Sequence, residues 1–284
     1  MSRARVLVID GNRAATRAAQ VSAGGQASGE GYVRVLQQLA PLDCDIVRPA
    51  DGEVQLRAGV ALADYDGVAM TGSALNVYDG GAHIERQIEL ARAVFAAGVP
   101  FFGSCWGMQV AVTAAGGRVR ANPLGREFGF ARRIALTVAG RAHDMFRGKP
   151  AVYEAVTVHR DDIGELPAGA TLLASSDMGL QAIEFRHGHS TIWGVQYHPE
   201  YSYAEIAATA KRYAPVLLEE RVFLNSAELD AWVAELLELQ RSPRDTHLCW
   251  KHALGPGMQD EQAKLAELRN WLELQVQPRR QRRA

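Results

Sequence analysis

Short apolar runs closed by turn residues alternate with stretches whose apolar positions recur every three or four residues. Arg5-Val6-Leu7-Val8-Ile9 ends at Asp10 and reads as a strand buried on both faces. Residues 31–40 carry Tyr32, Val35, Leu36 and Leu39 at helical spacing. Residues 45–47 and 67–70 return to strand character, and residues 84–97 are helical through Ile84, Ile88, Ala91, Val94 and Phe95. Residues 99–102 predict the next strand and residues 108–115 the next helix. Such alternation implies parallel pairing with helices on both faces of one sheet.

The middle of the chain breaks this rhythm. Residues 132–138, 152–158, 171–174, 181–185 and 191–196 are strand-like with few helices between them, which predicts an antiparallel section or an edge extension. After Glu200 the pattern is helical over residues 204–218, 227–240 and 260–275. In the second of these, Leu229, Trp232, Val233, Leu236 and Leu237 form one stripe. The plain reading is a layer covering the sheet; a subunit or partner interface, including a homo-oligomer through these helices, stays open. The expected division is an α/β domain over residues 1–220 and a helical extension over residues 221–284. Residues 22–31 are glycine-rich and read as a mobile loop, or more sharply as a lid. They lack the order of a phosphate loop and the spacing of a dinucleotide fingerprint.

Composition narrows the class. The 284 residues are 48% apolar, ample for a large core, and the net charge of −1 points to neither nucleic acid nor a membrane surface. Arg279-Arg280-Gln281-Arg282-Arg283 reads as a solvated, frayed terminus. The basic start Met1-Ser2-Arg3-Ala4-Arg5 precedes an apolar run too short for a leader, and no stretch approaches the ~18 apolar residues of a membrane span. Cys44, Cys105 and Cys249 are scattered and odd in number, so a reducing, cytoplasmic setting is expected, with no disulfide framework. None forms a CxxC pair, and no metal or cofactor site is expected.

The chemistry concentrates in two segments. Phe101-Phe102-Gly103-Ser104-Cys105-Trp106-Gly107-Met108-Gln109 places a cysteine between two glycines, with an apolar strand before it and an apolar helix after it. That is the strand–turn–helix setting of a nucleophile elbow. The cysteine then sits at a helix N-terminus, where free amides and the helix dipole favour a thiolate. The amide of Trp106 is placed to hold an oxyanion. Cys44 and Cys249 lack this context and read as buried hydrophobes. The second segment ends the strand Ile192-Trp193-Gly194-Val195-Gln196-Tyr197 with His198-Pro199-Glu200. Pro199 keeps His198 extended, so Glu200 returns to the same side and can orient the imidazole as base and acid. The order nucleophile, histidine, acid differs from that of the α/β-hydrolases.

Together these residues resemble the class I glutamine amidotransferase family, over roughly Val6 to Glu200. Gly103 to Gln109 matches its G-x-C-x-G-[MH]-Q block, and Val195-Gln196-Tyr197-His198-Pro199-Glu200 its V-Q-[FY]-H-P-E block. Met70-Thr71-Gly72-Ser73 matches the segment whose glycine amide is a second oxyanion donor, and Arg126-Glu127-Phe128-Gly129 is similar to the glutaminase domain of GMP synthase. The resemblance implies a doubly wound, flavodoxin-like, mostly parallel sheet. It implies a triad of Cys105, His198 and Glu200, an oxyanion hole from the amides of Gly72 and Trp106, and no cofactor. It also implies glutamine contacts from Gln109 and from the main chain of Arg160 and Asp161, after His159.

Two departures stand out: Ala74 where many members have proline, and Arg160 where many have a small residue. Arg160 favours a γ-glutamyl substrate other than glutamine. No pyrophosphate loop of a synthetase appears, so an ATP-dependent synthetase would have to be a separate partner. The expected function is a glutaminase feeding ammonia to such a partner. The alternatives are a stand-alone γ-glutamyl hydrolase acting on amines or peptides, and a non-catalytic binding module on the same fold.

Overall fold

A computed structural model describes residues 3–283; Met1, Ser2 and Ala284, which belong to the basic start and to the end of the extension, lie outside the described residues. The chain opens with β1 (Ala4–Ile9), α1 (Ala14–Ser22), α2 (Ser28–Leu39), β2 (Leu42–Val47) and β3 (Gly67–Met70), then α3 (Ala82–Ala96), β4 (Phe101–Ser104) and α4 (Trp106–Ala114). It continues through β5 (Arg118–Ala121), β6 (Glu127–Leu136), α5 (Val138–Ala142), β7 (Val152–His159), β8 (Asp161–Glu165), β9 (Thr171–Ser176), β10 (Gly179–His187) and β11 (Ser190–Val195). Two long helices follow, α6 (Tyr203–Glu219) and α7 (Ser226–Arg241), and then short helical pieces from α8 (Thr246–Lys251) to Gln277–Arg283.

Nine strands form one sheet in the order β2-β1-β3-β4-β11-β10-β9-β6-β7. The strands from β2 to β11 pair in parallel, and β10, β9, β6 and β7 are antiparallel. β5 and β8 form a separate antiparallel pair. The architecture is the expected mixed sheet with an antiparallel extension. β1 shows why its sequence is apolar throughout: Val6 and Val8 enter the core on one face, Leu7 and Ile9 the core on the other. The second face is closed by α3 and α4, the first by α2 and by residues 265–276 near the end of the chain.

The helices after residue 220 pack onto the body, residues 265–276 in the first core and α7 in a third apolar cluster. α7 buries Leu229, Val233, Leu236 and Leu239 against α6 and the antiparallel strands, and Trp232 packs on Phe128 at 5.6 Å between ring centroids. Trp271 is fully buried and lies 5.9 Å from the Phe102 ring. The buried side of each stripe is thus covered by other elements of the chain.

Three expectations are corrected. The basic tail is helical rather than frayed: Arg279 donates to the carbonyls of Tyr65, Gly98 and Ala63, and Arg283 pairs with Asp64 and Asp66. These carbonyls lie at the N-terminal edge of the strands, where the guanidinium groups find acceptors that composition does not reveal. Residues 22–31 are not one loop: Ser22 ends α1, residues 28–31 already belong to α2, and the short connection between them is tied down where Glu205 accepts the Gln26 amide and Asp10 accepts the Gly29 amide. Residues 260–275 are not one helix; the backbone turns at Asp260 and Leu265 and widens into a π-helical turn over Leu272–Val276. Among the described residues, no helix is long and apolar enough to cross a membrane.

One buried ion pair ties the extension to the body. Lys149 Nζ meets Glu267 Oε1 at 2.5 Å, with side chains 4% and 0% exposed. Tyr197 donates its hydroxyl to the same carboxylate, and Tyr153 joins Tyr197 at 2.9 Å. Burial pulls the Lys149 ammonium below its ordinary pKa and Glu267 pulls it back. Glu267→Ala leaves that charge alone in the core and should cost about 3–5 kcal/mol of unfolding free energy, whereas replacing both partners by apolar residues should cost much less. Urea denaturation checks this, and equal losses in the two variants would contradict it.

Candidate active site

β4 and β11 are neighbours in the sheet, with Ser104 opposite Val195. Their C-terminal ends therefore deliver Cys105 and His198 to one edge, where sites form in sheets of this kind. The turn at Cys105 is tight. Its φ is 50° and ψ −105°, a conformation costly for a side chain with a Cβ and typical of strained functional turns. The Cys105 amide donates to Val195 O at 2.7 Å, so the strained residue is fastened to the strand that carries the histidine. A Cβ on Gly103 would lie 2.4 Å from the Gly107 backbone, and one on Gly107 would lie 2.4 Å from Met70 O. Both glycines are needed because strand and helix approach closer than any side chain allows.

Cys105 is buried, and its sulfur lies 3.6 Å from Val158 O. β7 carries that carbonyl; although last in the sheet order, it curls back so that Val156 O also accepts the His198 amide at 2.8 Å. His198 Nδ1 is 2.8 Å from Glu200 Oε1, and the ring stacks on Tyr201 at 4.1 Å. Nε2 is buried without a conventional hydrogen-bond partner, and Cys105 is the neighbour that acts on it. Burial pulls the imidazole down. The Glu200 charge and the interactions with Cys105 and Glu200 outweigh this and hold its pKa at about 10. The balance of these effects favours the protonated ring. A folded-state pKa above the unfolded one means that this pairing stabilises the fold in full below the ordinary value of about 6.5, and that the contribution is lost as pH rises through about 10.

Gly72 faces the imidazole directly. A Cβ there would lie 2.4 Å from His198 Cε1, so any side chain at this position displaces the histidine. Trp106 is fully buried as the first residue of α4, and its indole donates to Gln87 at 2.7 Å. The remaining predicted residues line a cavity of about 270 Å³ that also includes Cys105: Gln109, Arg160 and Asp161 are all present. Gln109 is buried beside Gln196 at 3.4 Å. Arg160 lines the cavity with its Nε 3.6 Å from Glu220 Oε1. Tyr78 donates to Asp161 at 2.8 Å, and burial raises the Asp161 pKa. His159 takes a structural place between Glu127 and Asp161 O. Sequence reasoning missed Tyr78, Tyr213 and the forked pairing of Arg126 with Glu220, which complete the wall. Nothing local marks them, since they come from distant segments. The other cysteines differ: burial pushes the Cys44 thiol up to about 12 and raises that of Cys249.

The chain matches the model of the class-I glutamine amidotransferases over residues 31–209, and it belongs to that family. It is accordingly a cysteine amidohydrolase. A γ-glutamyl-L-1-hydroxyisopropylamide hydrolase of a Pseudomonas species is 34% identical over 289 aligned residues, covering 100% of this chain and 97% of that protein. GMP synthase of Streptomyces coelicolor is 35% identical over 133 residues, which covers 47% of this chain but only 23% of the synthase. A glutamine amidotransferase structure from Thermotoga maritima superposes with a TM-score of 0.62 at 20% identity, covering 97% of this chain and 99% of that one, and so shares the fold.

Glu200→Gln should move the alkaline fall of kcat/KM to lower pH, because the imidazolium loses the carboxylate that raises its pKa. A pH profile with the fall in its wild-type place would remove Glu200 from that role.

Proposed function

We propose that this chain hydrolyses the side-chain amide of γ-glutamyl amines through a thioester on Cys105. The observation that carries the choice is the likeness to the Pseudomonas hydrolase, which runs through the whole chain, including the helical extension. The matches to GMP synthases stop at about half of it.

The groups at the sheet edge support the chemistry. The Cys105 thiolate adds to the amide carbon, and the carbonyl electrons move to oxygen, held by the amides of Gly72 and Trp106. His198 gives its proton to the departing nitrogen, the C–N bond breaks, and the amine leaves. Water then adds to the thioester while His198 takes its proton; the C–S bond breaks and glutamate is released. Glu200 keeps Nδ1 engaged so that Nε2 faces the sulfur side. In the cavity, Asp161 suits the α-ammonium of the γ-glutamyl group. Arg126 and Arg160 share the single carboxylate of Glu220, which leaves net positive charge for the α-carboxylate. Gln109 lines the path between them.

The second reading is a glutaminase that passes ammonia to a separate ATP-dependent synthetase, and the GMP synthase matches favour it. Rates of glutamate release from glutamine and from γ-glutamyl alkylamides separate the two. We expect the alkylamides to be turned over with the higher kcat/KM; a clear preference for glutamine would support the second reading. Cys105→Ala and Cys105→Ser should abolish turnover of both with the fold retained by circular dichroism. Labelling by 6-diazo-5-oxonorleucine should fall on Cys105 in peptide mapping, and an adduct on Cys44 or Cys249 would count against the assignment.

A further inference from the structure

The segment that presents Gly72 is fastened from one direction. The Thr71 amide donates to Ile9 O at 3.0 Å, and the Gly11 amide donates to Thr71 Oγ1 at 3.0 Å. Beyond the glycine, one buried side chain grips the chain at two points. Asn12 Nδ2 donates to Gly72 O at 3.2 Å, and Asn12 Oδ1 accepts the Ala74 amide at 3.0 Å. Ser73 Oγ adds a bond to Gly11 O at 2.9 Å. Asn12 is itself held: its amide donates to the fully buried Asp10 at 3.0 Å, and Nδ2 also reaches Ser28 Oγ at 2.7 Å.

The geometry has a definite effect. Thr71 is fixed before Gly72, and the Gly72 carbonyl is fixed after it. The N–H between them is left with one direction. Glycine is the residue that most needs such outside restraint, since its own backbone preferences are weak. It cannot be replaced here, because a Cβ would strike His198. The Ala74 N–H that Asn12 uses is also a group that proline would lack.

We infer that Asn12 is a positioning residue for the hydrolysis: it aims the Gly72 amide at the oxyanion formed when the amide carbon becomes tetrahedral. The inference rests on the reading of Gly72 as an oxyanion donor. Asn12 does not touch the reacting atoms; it acts through Gly72. Oxyanion donors act mainly on the transition state, so the effect falls on kcat.

The test compares wild type, Asn12→Ala and Cys105→Ala on glutamine and on γ-glutamyl methylamide. It also measures the rate at which iodoacetamide alkylates Cys105, a reaction that needs the thiolate but no oxyanion donor. Asn12→Ala should lower kcat about ten- to a hundredfold, with KM and the alkylation rate within about twofold of wild type. An unchanged kcat overturns the inference. So does a parallel fall in kcat and alkylation, which would place Asn12 behind the cysteine or the fold. Should Asn12→Ala fail to fold, Asn12→Asp keeps the acceptor for Ala74 and loses the donor to Gly72; it should show the same split between kcat and alkylation, and wild-type kcat in it overturns the inference. Residual turnover in Cys105→Ala, or none in wild type, defeats the hydrolysis reading itself. An inactive Cys105→Ala beside a fully active Asn12→Ala defeats only the role of Asn12.

Discussion

The pairing of β4 with β11 is the constraint on which everything else depends. It sets Ser104 beside Val195 and lets the Cys105 amide close on Val195 O at 2.7 Å. Parallel strands cannot be joined by a short turn, so the two residues that must meet come from distant parts of the sequence. The left-handed turn at Cys105 is unfavourable alone and persists because the sheet on one side and α4 on the other leave no alternative. That combination sets a sulfur beside an imidazole without further adjustment.

Electrostatics then acts on the imidazole. Desolvation opposes charge on His198, yet a carboxylate at 2.8 Å and the neighbouring sulfur prevail. At Cys44, burial and two aspartates close by push the thiol up to about 12.

Much of this was legible in the sequence. The elbow and His198-Pro199-Glu200 are local patterns whose geometry follows from neighbouring residues, and the strand–helix alternation carries the parallel half of the sheet. What stayed hidden depends on contacts between distant segments. Asn12 looks like a loop residue until the end of β3 is laid beside it. Glu267 looks like a surface residue of a helix until Lys149 arrives beneath it. Arg279 reads as tail until the carbonyls of Tyr65 and Gly98 are seen at the foot of the sheet. Strand ends shifted by up to five residues: the strand expected over residues 132–138 begins at Glu127, and β4 begins after Val99, which is as buried as the strand it precedes.

The hydroxyl of Tyr197, next to the histidine, is satisfied by a carboxylate that the ribosome adds after Cys105, His198 and Glu200. A chain that has reached only Glu220 carries the sulfur, the imidazole and the acid, but Lys149 then lacks its counter-charge and Tyr197 keeps only the hydroxyl of Tyr153. The segment around Glu267 thus completes the charge balance of the core beneath Tyr197.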